Sequence, residues 1–199
     1  MIRKLQIADC NQVAQLHQSY LNTSFYGQPG KTLLALYYRA ICREQGATGY
    51  VSVNQDNRII GFVCGVWDSQ QVRDALIRHS WAPLAFWGAM QVLIRPSLLM
   101  NFLSRYQAPK TPQDAKPEYE LRPIVVAPEA RGSGLANRLV QTLLQDAKQR
   151  GFSKICLFTE PDNLPANRFY QKFGFALAGE TTRNGQIFRR YEYSTPNNA

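Results

Sequence analysis

The chain has 199 residues, a length at which one domain can bury a full hydrophobic core. Hydrophobic residues make up 45% and charged residues 19%, which excludes a disordered chain, and no apolar run reaches the length of a membrane-spanning helix. The net charge of +9 attracts anions, yet the Lys and Arg residues are scattered, which argues against a nucleic-acid-binding tail and suits a phosphate-bearing ligand. In chain order, residues 2–7 read as a strand. Asp9, with Gln12 three positions later, reads as a capping box opening a helix through Tyr20. A turn-prone stretch over 23–30 leads to a second helix over 31–45. Strands are predicted over 50–54 and 58–67, turned by Gln55-Asp56-Asn57, and the second is apolar enough to be buried on both faces. Residues 69–79 and 83–106 read as helices rich in Trp, Phe, Leu and Met, with a break at Arg95-Pro96. A proline-bearing loop over 107–117 follows and is expected to be mobile. The pattern then gives a strand over 118–127, a helix over 134–150, a strand over 154–159 and a helix over 165–173. A final β pair over 175–181 and 187–193 is turned by Arg183-Asn184-Gly185, and residues 194–199 are expected to fray. The fold class is α/β: one domain over 1–199, a mixed sheet with helices on both faces, and a helical insertion over 68–117.

The most informative stretch is Val125-Val126-Ala127-Pro128-Glu129-Ala130-Arg131-Gly132-Ser133-Gly134-Leu135-Ala136. A strand ends at a proline, and a loop with two glycines opens a helix whose apolar positions, Leu139, Val140, Leu143, Leu144 and Ala147, share one face. The first amides of a helix have no intrahelical partner, and with the helix dipole they seat phosphate oxygens. Glycines let such a ligand approach the backbone. The same pattern also serves a plain strand–loop–helix connection, so spacing alone leaves both readings open.

A second segment, Asn163-Leu164-Pro165-Ala166-Asn167-Arg168-Phe169-Tyr170-Gln171-Lys172-Phe173-Gly174-Phe175, follows the apolar run over 154–159. Together the two segments resemble the acetyl-CoA-dependent GNAT acetyltransferase superfamily. That resemblance implies a mostly antiparallel central sheet flanked by helices. It also implies a loop of form (Gln/Arg)-x-x-Gly-x-(Gly/Ala) that holds the CoA pyrophosphate, matched here at Gly132 and Gly134 with Arg131 immediately before them, so that Arg131, Gly132, Ser133, Gly134, Leu135 and Ala136 would border the cofactor. Glu129 departs from the pattern and is expected to face solvent. In the family the fourth strand splays from the fifth, and the acyl-pantetheine arm enters the gap. Ile124, Val125 and Val126 would offer it freed backbone groups, while Asn163, Ala166 and Phe169 would contact CoA. Pro123 fits this picture, because proline gives no ladder hydrogen bond and predicts a break or bulge.

Transfer of an acetyl group to an amine needs a neutral amine, although an alkylammonium keeps its proton up to about pH 10. A carboxylate commonly removes it. Glu118 and Glu120 alternate onto one strand face, and Glu120 matches the family's glutamate in this role, against the alternative of a solvent-facing strand end. Tyr170 matches the tyrosine that protonates the departing sulfur. Otherwise Phe169, Tyr170 and Phe173 are the apolar stripe of a short helix, and Asn163 is its N-cap. Ser24, Phe25, Tyr26 and Glu118 are expected to sense the acceptor. Trp81, Phe86, Trp87 and Met90 in the insertion fit a lid, a homodimer contact, a membrane-surface patch or an extra packing layer.

Cys10, Cys42, Cys64 and Cys156 are widely spaced and form no cluster with the two histidines, which argues against a metal such as zinc, against a disulfide scaffold and for reduced thiols in a cytoplasm. The expected function is transfer of acetyl from acetyl-CoA to a primary amine of a small molecule, by direct attack in a ternary complex. A protein or peptide N-acetyltransferase and a silent CoA-binding regulatory module are the alternatives, and nucleic acid is not expected as a partner.

Overall fold

A computed structural model describes residues 1–21, 30–94, 118–183 and 185–195; for 81 and 83–94 it describes the backbone alone. Seven strands form one sheet: β1 (Ile2–Lys4), β2 (Ala47–Val53), β3 (Ile59–Val66), β4 (Tyr119–Val126), β5 (Lys154–Thr159), β6 (Ala176–Arg183) and β7 (Gln186–Ser194). Their order is β1-β2-β3-β4-β5-β7-β6. Every neighbouring pair is antiparallel except β4 and β5, which run parallel. The helices are α1 (Cys10–Tyr20), α2 (Lys31–Arg43), α3 (Ser69–Ile94), α4 (Leu135–Gln149) and α5 (Leu164–Phe173).

The two faces of the sheet bury two distinct cores. On one face α4 turns its predicted stripe of Leu139, Val140, Leu143 and Ala147 onto Val63, Tyr119, Leu121, Ile155 and Tyr191, with Tyr170 and Phe175 from the α5 region. On the other face α1 and α2 bring Cys10, Val13, Ala14, Tyr38 and Ile41 against Val51, Phe62, Cys64 and Val125. The alternation along β4 is interrupted. Tyr119 and Leu121 face α4, but so do Ile124 and Val126, while Val125 joins the opposite core. An odd–even switch of this kind requires one extra residue in the strand. The register against β3 supplies it: Val63 pairs with Ile124 and Cys64 with Arg122, so Pro123 is passed over. The break expected at that proline is therefore a bulge.

Three local expectations are corrected. The first strand ends at Lys4, and Ile7–Asp9 form a 3-10 turn. Asp9 does not cap α1 through its side chain. Its carboxylate instead accepts the Gln6 N–H at 2.9 Å and the Arg3 guanidinium at 2.6 and 2.9 Å. Gln12 is used elsewhere, accepting the Ile59 N–H at 3.2 Å. The predicted helices over 69–79 and 83–106 correspond, as far as Ile94, to α3, which is interrupted at Ser80 (φ −140°). The expectations at Arg95-Pro96, over 107–117, at Asn184 and for the tail beyond 195 lie outside the described residues, as do the side chains of Trp81, Phe86, Trp87 and Met90.

Candidate active site

The parallel pair β4–β5 is joined only at its beginning, through Tyr119 opposite Ile155 and Glu120 opposite Cys156. Beyond Glu120 the strands part. β4 goes on through the bulge at Pro123 paired with β3, while β5 stays paired with β7 through Thr159. At the far end of β4 a 3-10 turn, Pro128–Ala130, leads into the glycine loop. Gly132 (φ +76°) and Gly134 (φ +73°) both occupy the left-handed region that other residues enter at a cost. A Cβ added at Gly132 would meet no protein atom within 4 Å, so the space beside this loop is open. Gly134 is the N-cap of α4 and provides no side-chain cap, and the ladder begins with Arg138 N–H to the Gly134 carbonyl. The amides ahead of Arg138 are thus left without helical partners. The loop is closed by the Ser133 hydroxyl donating to the Ala130 carbonyl at 2.7 Å and by Arg138 donating to the Ser133 carbonyl at 3.1 Å. Glu129 is exposed, as expected.

The gap widens into a cleft of about 290 Å³. Ile124, Val125 and Val126 of β4 line one side, and Asn163, Pro165, Ala166, Phe169 and Tyr170 line the other. Arg131 and Ala136 stand at the loop end, with Gly132, Ser133 and Gly134 exposed between them. Leu135 turns its side chain into the core instead. Arg131 donates through Nε to the Val126 carbonyl at 3.3 Å, and its guanidinium lies 5.7 Å from the Tyr20 ring. Tyr20 and Leu21, at the end of α1, complete the lining. Sequence reasoning missed them, since nothing in the α1 pattern tells that its last turn meets the far end of β4.

Tyr170 is 6% exposed, and burial pushes its phenol above the ordinary value, which keeps it protonated at neutral pH. Its ring is held edge-on by Phe169 and Phe175, with centroids 5.2 and 5.6 Å away. Asn163 both lines the cleft and caps α5, accepting the Ala166 N–H at 3.3 Å. A further residue escaped the sequence reading. Asn167, 3% exposed, accepts the Thr159 hydroxyl and donates to the carbonyls of Glu160, Pro161 and Asn163 at 3.0, 3.3 and 2.9 Å. It fixes the β5–α5 turn from which Asn163 and Tyr170 reach the cleft. An asparagine one turn before Tyr170, on the helix's buried side, was the available signal.

Glu118 and Glu120 share a face of the sheet with Arg190, but the two carboxylates have different partners. Glu120 lies 3.2 Å from Arg122 and 3.5 Å from Arg183, whose guanidinium stacks 3.3 Å over the Phe158 ring. Glu118 accepts from Arg190 at 2.8 Å, and that bond holds its carboxyl below the usual range. Arg122 also donates to Ser69 at 2.8 Å, tying β4 to the start of α3. His17 is outside the cleft lining. Its Nδ1 is 2.6 Å from the Tyr38 hydroxyl, and burial lowers its pKa to about 4. Ser24, Phe25 and Tyr26 lie outside the described residues. Among the described residues no His/Cys/Asp/Glu group is arranged to hold a metal ion, and no helix is long and apolar enough to cross a membrane.

Comparison with known proteins agrees with this geometry. The model of the acetyltransferase (GNAT) family matches residues 13–175. A mycothiol acetyltransferase of Brachybacterium faecium is 32% identical over 92 residues, covering 45% of this chain and 27% of that protein. N-alpha-acetyltransferase 30 of Schizosaccharomyces pombe is 42% identical over 68 residues, covering 34% of this chain and 41% of its own. The matches thus span well under half the length of these curated relatives. Among solved structures, an N-acetyltransferase from Staphylococcus aureus aligns with a TM-score of 0.63 at 20% identity, over 98% of this chain and 97% of that one. A spermidine N-acetyltransferase from Vibrio cholerae aligns at 0.59 and 17%, over 98% and 94%, and likewise shares the fold. With its family match covering most of its length and its sheet parted between β4 and β5, this chain belongs to the GNAT family of acetyltransferases.

Proposed function

We propose that this protein transfers an acetyl group from acetyl-CoA to a primary amine of a small molecule. One observation carries the reading: β4 and β5 pair at two positions only, and the gap they leave ends at a loop of unpartnered helix amides. The residues present fit acetyl-CoA. Open space beside Gly132, the α4 N-terminus and Arg131 suit a diphosphate, and the net charge of +9 draws a polyanion in. Ile124, Val125 and Val126 would hold the pantetheine arm along β4, against Asn163, Ala166 and Phe169. When bound, acetyl-CoA supplies an activated acyl group and a thiol leaving group.

The chain's own part is positioning and proton transfer. Tyr170, protonated and held rigid by two aromatic rings, donates its hydroxyl proton to the sulfur that leaves. Glu120, oriented by Arg122 and Arg183, accepts the amine proton directly or through water. Direct attack within a ternary complex is favoured over an acyl-enzyme, because the described residues lining the cleft include no cysteine or serine to carry the acyl group. A peptide α-amine is the second reading, supported by the 42% identical segment of the yeast N-alpha-acetyltransferase.

The test is CoA thiol release from acetyl-CoA in the presence of a panel of small primary amines and short peptides. Turnover with a small amine supports the proposal, and turnover with peptides alone replaces it with the second reading. Calorimetric CoA binding without thiol release for any amine makes the protein a CoA-responsive binding module.

A further inference from the structure

Two thiols meet at the open end of the α1–α2 hairpin. Cys10 opens α1, Cys42 lies in the last turn of α2, and their Sγ atoms are 3.8 Å apart. To become a disulfide of roughly 2.05 Å, the sulfurs must close by somewhat under 2 Å. Cys10 is fully buried and Cys42 is half-buried, so a small oxidant has an approach from one side. We propose that Cys10 and Cys42 are a redox-modification site, forming an intramolecular disulfide that staples α1 to α2 when the protein meets a peroxide.

The other two thiols lack this arrangement. Cys64, as buried in β3 as Cys10 is in α1, makes no thiol contact like that of the pair among the described residues, and Cys156 has as its neighbour the Glu118 carboxylate at 3.7 Å. In the pair, the contact with Cys42 and the nearby Arg39 charge hold the Cys10 thiol below the usual range. The reaction balances with hydrogen peroxide as oxidant. The thiolate attacks one peroxide oxygen, a sulfur–oxygen bond forms, the oxygen–oxygen bond breaks, and the departing hydroxide takes a proton to leave as water. The second thiol then attacks the sulfenic sulfur, the sulfur–sulfur bond forms, and the displaced hydroxide takes the thiol proton as a second water. Two thiols have given up two electrons in all, and one peroxide has become two waters. The bond fixes α1, whose far end supplies Tyr20 and Leu21 to the cleft, against α2.

The test treats the intact chain with hydrogen peroxide at neutral pH, alkylates it, digests it without reductant and maps the peptides by mass. The expected product is a linked pair containing Cys10 and Cys42, with two hydrogens lost from the intact mass. The melting midpoint should rise by on the order of 5 °C or more, and dithiothreitol should reverse the rise. Cys42→Ser should remove both effects. Oxidation of Cys42 to sulfinic or sulfonic acid without a linked pair overturns the proposal, as does a link through Cys64 or Cys156. Because the linked peptide is read on the unsubstituted chain, the result stands even where a serine variant fails to fold.

Discussion

Tyr170 unites two readings that compete in the sequence. It belongs to the apolar stripe of α5, packed edge-on against Phe169 and Phe175, and it also lines the cleft. Its packing keeps the phenol protonated and still, which is what a proton donor to a departing thiolate needs. Tyr170→Phe should lower kcat by about 100-fold while CoA affinity and folding stability stay nearly unchanged; steady-state kinetics and calorimetry check this together. Wild-type turnover in the variant would reassign the proton donor. Asn163 is a similar case, since one side chain serves as α5 N-cap and as cleft lining. Asn167 was not legible as a brace because its partners, Thr159 and the carbonyls of 160, 161 and 163, converge only once β5 and α5 have folded against each other.

The β4–loop–α4 unit concentrates the site. The proline in β4 was readable as a break, and the structure gives it a consequence that composition could not: an odd–even switch that sends Ile124 and Val126 to the α4 face. The turn made by the glycine loop was readable, because positive φ and an uncapped helix start are local properties, whereas the burial of the Leu135 side chain in the core was not. Gly134→Val should destabilise the fold by about 1–2 kcal/mol, the cost of a left-handed backbone at a residue with a side chain. It should also weaken CoA binding tenfold or more by crowding the loop amides. Denaturant unfolding and CoA titration separate the two effects. Unchanged affinity in a folded variant would remove the phosphate from this loop.

The histidine of α1 governs part of the whole molecule's response to pH. His17 is held neutral beside Tyr38, with its pKa lowered from 6.5 to about 4. The unfolded chain takes up its proton near 6.5, whereas the folded one resists until about 4, so this contribution is complete above pH 6.5 and is lost as pH falls through that window. It amounts to on the order of 3 kcal/mol. Urea unfolding followed from pH 7 to 4 should show the decline, and His17→Leu should flatten it whatever its effect on absolute stability. An unaltered slope in the variant would assign the pH dependence to other groups. Across the molecule, the order of strands and helices, the α4 stripe and the glycine turn that opens α4 follow from local spacing, because periodicity and turn chemistry act over a few residues. The tertiary structure alone decided the two-residue β4–β5 pairing, the arrival of Tyr20 and Leu21 at the cleft, the arginine partners of Glu120 and the contact of Cys10 with Cys42. Those features join segments distant in the chain, and no local propensity specifies which distant surfaces meet.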